Sequence, residues 1–173
     1  MRIEPATVTD LAAIRAAYDD GRAMQRAQRS VVWPEFTAAA MVREIEAQTL
    51  FCVRRDSALV GVFSMLPGDA LIWGADERGQ HLYLHRIART ASYRGGGLVD
   101  AILGWARQEC VARGRAGLRM DTWAGNHALI AYYVSRGFRQ LRSVRLPVDP
   151  QLAEHYHGIE LALLESPLQA VAE

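Results

Sequence analysis

Lysine is missing from this chain of 173 residues; all 20 basic side chains are arginine. A Walker-type nucleotide loop ends in a lysine that reaches the terminal phosphates, so the glycines at 95, 96 and 97 cannot form one. Schiff-base chemistry on an enzyme lysine is excluded for the same reason. Cysteine is scarce: Cys52 sits in a hydrophobic stretch and Cys110 in a helical pattern, neither at metal or redox spacing. Both read as buried thiols. No stretch approaches the roughly 18 apolar residues of a membrane span, and residues 1–5 lack the apolar segment of a signal peptide. The expectation is a cytoplasmic protein with no membrane partner. With a net charge of +1 and its arginines scattered, the chain has no basic stripe for a phosphate backbone, so nucleic acid is not an expected partner either.

What is present suits a packed core, since half of the residues are hydrophobic and 23% are charged. No repeat or linker divides the chain, so one compact domain is expected over residues 1–165, followed by a C-terminal tail at 166–173. A first strand is expected at residues 3–7. Thr9 is a plausible cap for a helix running to about residue 28, with Leu11, Ile14, Ala17 and Tyr18 on one face. Trp33-Pro34 interrupts before a second helix at 37–47, and strands at 50–54 and 58–66 flank the turn at Arg55-Asp56-Ser57. The stretch 67–79 reads as a loop. In the extended segment 80–89 the apolar alternation slips near His85 and Arg86, which suggests a bulge. A helix from Leu98 to about Arg113, strands at 117–122, 138–146 and 159–165, and a helix at 126–136 complete an α/β (mixed α+β) layout around one sheet.

Three glycines between a strand and a helix can bind an anion, because free backbone N–H groups and the helix dipole both favour a phosphate there. They can equally be a tight turn. A dinucleotide-binding turn would need its third glycine at position 100, which is Asp.

The stretch Leu84-His85-Arg86-Ile87-Ala88, continuing through Arg94, Gly95 and Gly97, resembles the core motif of the GNAT superfamily of N-acetyltransferases. Asn126, Leu129, Tyr133 and Gly137-Phe138 resemble that family's following motif, and the element order agrees over nearly the whole chain. The resemblance implies a GNAT fold: a central twisted mixed sheet of about seven strands, four flanking helices, and an acyl-CoA wedge between the two central strands. It also implies acetyl-CoA as acetyl donor, coenzyme A as product, and acetyl transfer to the primary amine of a small molecule or peptide by direct attack. Cofactor contacts fall on Ile87, Ala88, Arg89, Arg94, Gly95, Gly96, Gly97, Leu98, Val99, Asn126 and Tyr133. Val99 departs from the family's Gly or Ala, and Asp100 adds a carboxylate in the helix's first turn.

Tyr133 matches the family tyrosine that protonates the leaving thiolate; a core-facing aromatic is the other reading. His85 is either the general base for the amine or a structural histidine under the sheet. His81 lies too far along the strand to share a metal ion with His85, and His155 and His157 give only a weak metal signal, so no metal is expected. Trp33, Glu35, Trp73 and Asp76 lie in the stretches that border the family's acceptor pocket, or they are packing lids; Asp121 is a substrate ligand or a turn cap. A homodimer is implied by the resemblance alone. A non-catalytic acyl-CoA sensor on the same fold is the rival reading.

Overall fold

A computed structural model describes residues 1–150, 152 and 154–168. Seven strands form one sheet: β1 (Arg2–Pro5), β2 (Leu50–Arg55), β3 (Ala58–Leu66), β4 (His81–Arg89), β5 (Gly117–Trp123), β6 (Arg139–Arg145) and β7 (Glu160–Pro167), in the spatial order β1-β2-β3-β4-β5-β7-β6. The helices are α1 (Leu11–Ala27), α2 (Ala38–Glu46), α3 (Ala70–Trp73), α4 (Leu98–Ala112) and α5 (His127–Val134). The expected mixed α/β sheet fold is therefore present, with a fifth helix where the sequence suggested only loop. At four residues, α3 is too short to show a helical period. Among the described residues no helix is long and apolar enough to cross a membrane.

The chain gathers into two compact units, Met1–Met65 with Leu84–Trp105, and Leu66–Tyr83 with Ala106–Glu173. In the first, α1 buries Ile14, Ala17, Tyr18 and Gly21, a spacing that lays one stripe against Met41, Leu50, Cys52, Val62 and Ala88. The cap of this segment is earlier than the expected Thr9. A 3₁₀ turn at Val8–Asp10 precedes α1, and the Asp10 carboxylate accepts from the Thr7 N–H at 3.0 Å and from its hydroxyl at 2.8 Å. Arg54 binds the same Asp10 carboxylate and that of Glu4, which ties the turn to β1 and β2. Thr37, expected as the first residue of the second helix, instead caps α2, its hydroxyl accepting from the Ala40 N–H at 3.2 Å. Phe51, Phe63 and Trp105 pack ring on ring with centroids 4.9 to 5.8 Å apart.

In the second unit β5, β7 and β6 are antiparallel neighbours. Their register puts Glu165 opposite Arg119 on one side and Arg139 on the other. Both arginines donate to the Glu165 carboxylate, at 2.9 and 2.8 Å. Although burial opposes ionisation, the hydrogen bonds from Arg139 and Arg119 hold the Glu165 carboxyl below the usual glutamate range. Trp73, Tyr83, Leu146, Leu161 and Leu163 form the adjoining core. Of the expected tail, Ser166 and Pro167 belong to β7, paired with Leu118 and Gly117, and residues 169–173 lie outside the described residues.

Candidate functional site

The loop between β4 and α4 starts from a firmly held base. The Thr90 N–H donates to the Val60 carbonyl at 3.1 Å, and the Ala91 N–H donates to the Asp20 carboxylate at 2.6 Å. Tyr93 is buried in the middle of an otherwise exposed segment. From Arg94 to Gly97 the chain is solvent-facing, then Leu98 plunges into the core. Gly61 makes that descent possible: a Cβ there would stand 2.9 Å from both the Ala88 carbonyl and a Leu98 methyl group. Gly97 has φ +80°, a backbone that side chains other than glycine's rarely tolerate. Its carbonyl accepts from the Ala101 N–H at 2.9 Å, which opens the 15-residue helix α4. A Cβ on Gly96 or Gly97 would meet no atom within 4 Å. The result is an open glycine backbone at the positive end of a helix, with Arg94 beside it. Val99 is half-buried, and Asp100 is exposed on the first turn.

Along β4, Arg86 has φ +51° in mid-strand, at the place where the alternation of the sequence slips. Its guanidinium donates to Glu44 and to the Ser64 hydroxyl, and lies over the rings of Phe36 at 4.8 Å and Tyr18 at 5.6 Å. The half-buried His85 immediately precedes it, and Ile87 and Arg89 are half-buried around the buried Ala88. The Arg89 side chain turns back to donate to the Tyr93 carbonyl.

The α5 segment explains why its sequence has the form it does. Asn126 caps the helix, its side-chain oxygen accepting from the Leu129 N–H at 3.1 Å. At the other end the Gly137 N–H donates to the Val134 carbonyl at 3.1 Å, and the Phe138 N–H to the Tyr133 carbonyl at 3.2 Å. This is a Schellman closure, and Gly137 supplies its left-handed residue at φ +89°. The apolar contact that accompanies such a closure is the Tyr133 ring against Phe138. Burial raises the Tyr133 hydroxyl well above the ordinary tyrosine value, so it keeps its proton at neutral pH.

The sequence model of the acetyltransferase (GNAT) family matches residues 18–138, a span that takes in the glycine loop and the Asn126 to Phe138 segment. The chain belongs to the GNAT acetyltransferase family. The uncharacterized N-acetyltransferase YesJ of Bacillus subtilis (strain 168) is 31% identical over 98 residues, which is 54% of each chain. The match thus spans about half the length of that relative. Two solved structures share the fold over nearly their whole length. A ribosomal-protein-alanine N-acetyltransferase from Brucella melitensis has TM-score 0.70 at 21% identity, covering 97% of this chain and 100% of its own. The yncA structure from Salmonella typhimurium, solved with its cofactor acetyl-CoA, has TM-score 0.67 at 16% identity, covering 100% and 96%.

Within this GNAT chain the five residues expected at the acceptor side have quite different surroundings. In the first unit Trp33 is half-buried over Gly21, where a Cβ would come within 3.1 Å of its ring, and its centroid lies 6.3 Å from that of Tyr18. Glu35 is exposed and paired with Arg15. In the second unit Trp73 has no solvent-exposed surface. Its ring packs edge-on against Tyr83 at 5.5 Å and carries the Arg119 guanidinium at 4.4 Å, the environment of a core side chain. Asp76 is exposed, with its carboxylate on Arg142 at 2.6 Å and its backbone carbonyl on Arg119 at 2.8 Å. Asp121 is half-buried in β5. Sequence reasoning passed over Tyr93, Asp20, Gly61 and the pair Arg119 and Glu165. The one available signal was an aromatic residue directly before Arg94 and the glycines. Cys52 and Cys110 are buried free thiols as expected, pushed by burial up to about 12 and about 11.

Proposed function

We propose that this chain is an acetyl-CoA-dependent N-acetyltransferase that moves the acetyl group to a primary amine of a small molecule or peptide by direct attack in a ternary complex. The observation that carries the reading is the glycine loop. Open space over Gly96 and Gly97, left-handed Gly97 and the start of α4 form an anion cradle of the kind a pyrophosphate requires. Arg94, Gly95, Gly96, Gly97, Leu98 and Val99 hold the pyrophosphate, chiefly through backbone N–H groups, so a valine at position 99 serves as well as a smaller residue. Ile87, Ala88 and Arg89 run beside the thioester arm, and their N–H groups stabilise the carbonyl oxygen as it gains charge. Asn126 orients α5 and thereby Tyr133.

The bound thioester supplies an activated acetyl carbon. The neutral amine nitrogen attacks that carbon, the N–C bond forms, the C–S bond breaks, and coenzyme A departs. His85 takes the proton that the amine loses. Tyr133 donates to the departing sulfur. Burial raises its hydroxyl above the ordinary tyrosine value, which opposes donation, so the proton moves only as charge builds on the departing sulfur late in the reaction. Trp33, Glu35, Asp76 and Asp121 are the acceptor-side groups in this reading, and the wholly buried Trp73 is a core residue of the second unit.

The test is thiol release with acetyl-CoA and a panel of small amines and peptides. Release that depends on the amine is expected. Absence of coenzyme A binding by calorimetry at millimolar concentration overturns the reading, and tight binding without turnover on any amine assigns the chain instead to an acyl-CoA sensor.

A further inference from the structure

The side chain of Tyr93 is the unusual feature of the glycine loop, because it is buried while its neighbours on both sides are exposed. Its hydroxyl donates to the Gly96 carbonyl at 2.8 Å. Gly95 is what lets it through: a Cβ at that position would stand 2.5 Å from the hydroxyl oxygen, well inside contact distance. The Tyr93 backbone is held as well, its N–H by the Thr90 carbonyl at 3.2 Å and its own carbonyl by the Arg89 guanidinium. The bare Gly95 makes room for ring and hydroxyl alike, but a ring placed only to fill space would not need the hydroxyl bond to Gly96.

The consequence follows from the peptide unit itself. The Gly96 carbonyl and the Gly97 N–H belong to one planar trans peptide and point in opposite directions. With the carbonyl drawn inward to the buried hydroxyl, the Gly97 N–H is turned outward, to the open side of the loop. We propose that Tyr93 is a positioning residue whose hydroxyl sets the orientation of the Gly96 and Gly97 peptide and so preorganises the pyrophosphate cradle. The proposal rests on the transferase reading above. Without the hydroxyl that peptide can flip, and a flipped peptide presents a carbonyl oxygen to an anion. A loop of three glycines has little else to resist such a flip.

The experiment compares wild type with Tyr93→Phe, which keeps the ring, using two acetyl donors. Acetyl-CoA carries the pyrophosphate; acetyl-pantetheine does not. For the variant, the Kd of coenzyme A and the KM of acetyl-CoA are expected to rise ~3- to 10-fold, the loss of one intramolecular hydrogen bond. Turnover at saturating acetyl-CoA and the KM of the amine should stay unchanged, and kcat/KM with acetyl-pantetheine should match wild type. An equal loss with both donors, or an unchanged coenzyme A affinity in Tyr93→Phe, overturns the positioning role while leaving the transferase reading intact. Wild-type protein that binds no coenzyme A overturns the reading and the proposal with it, and wild-type protein that uses both donors equally well overturns the proposal alone.

Discussion

The rings of Tyr133 and Phe138 meet edge to face with centroids 5.8 Å apart, across the Schellman closure that ends α5. This contact anchors the tyrosine through its ring and does not involve the hydroxyl, so the contributions of ring and hydroxyl are separable. Tyr133→Phe keeps the ring contact and should leave the melting temperature and coenzyme A affinity near wild type, while turnover falls on the order of 100-fold or more, the range removed with a proton-transfer group. Tyr133→Ala should instead destabilise the fold by about 3–5 kcal/mol, the cost of a truncated buried aromatic. An unchanged turnover in Tyr133→Phe would remove it from the mechanism.

If His85 accepts the amine proton, the pH–rate profile of kcat/KM should lose its acidic limb in His85→Ala, with a lower rate across the plateau. The measurement is a steady-state profile from pH 5.5 to 9 on wild type and variant. A limb of the same shape and position in both would leave His85 a structural residue.

Gly61 is a packing requirement, since its missing Cβ is the space that the Ala88 carbonyl and Leu98 occupy. The carbonyl is backbone and cannot swing aside. Gly61→Ala should therefore cost about 1–3 kcal/mol in urea denaturation, in the manner of an overpacked core. It should also weaken coenzyme A binding, because Leu98 starts the helix that carries the loop. A variant as stable as wild type would contradict this packing.

Glu165 lies between two arginines with only 9% of its side chain exposed. Glu165→Gln leaves Arg119, itself 10% exposed, without its carboxylate, and should destabilise the fold by about 3–5 kcal/mol. Replacing the exposed Arg139, at 66% exposure, should cost under about 1 kcal/mol. Equal effects of the two substitutions would refute the distinction between the buried and the exposed partner.

His81 stands 3.4 Å from Glu165, yet burial first and then the Arg119 charge hold its imidazole below the ordinary histidine value. The unfolded chain thus takes up a proton near its usual pKa, about 6.5, while the folded chain still refuses it. In that window the unfolded state binds more protons, so stability falls as the pH drops below about 6.5 toward the folded value. Denaturation midpoints measured from pH 7.5 to 5 should decline, and the decline should flatten in His81→Gln. A midpoint that rises on acidification would reverse the sign and refute the account.

How much of this was open to sequence reasoning depended on the range of the interaction. The buried stripe of α1 is a matter of spacing along one helix, and Ile14, Ala17 and Tyr18 were placed correctly from it. The Asn126 to Phe138 segment was recognisable because its cap and its glycine closure are local hydrogen bonds over a few residues. Thr9 was the wrong cap, because Asp10 reaches back to Thr7 and a 3₁₀ turn comes first. The stretch 67–79 looked like loop and holds α3 with the wholly buried Trp73, a position that the indole owes to Tyr83 and Arg119 rather than to its neighbours in sequence.

By itself the sequence determined the order of elements, the absence of lysine chemistry, the glycine loop and the family, since all of these reside in residue types and their spacing. Only the tertiary structure decided what surrounds each group. It set Glu165 between Arg119 and Arg139, enclosed Trp73, and bent the Tyr93 hydroxyl onto Gly96. The physical reason is that strand register and side-chain burial arise from residues far apart in the chain, and a hydrogen bond to a backbone carbonyl leaves no mark on the identity of the residue that accepts it.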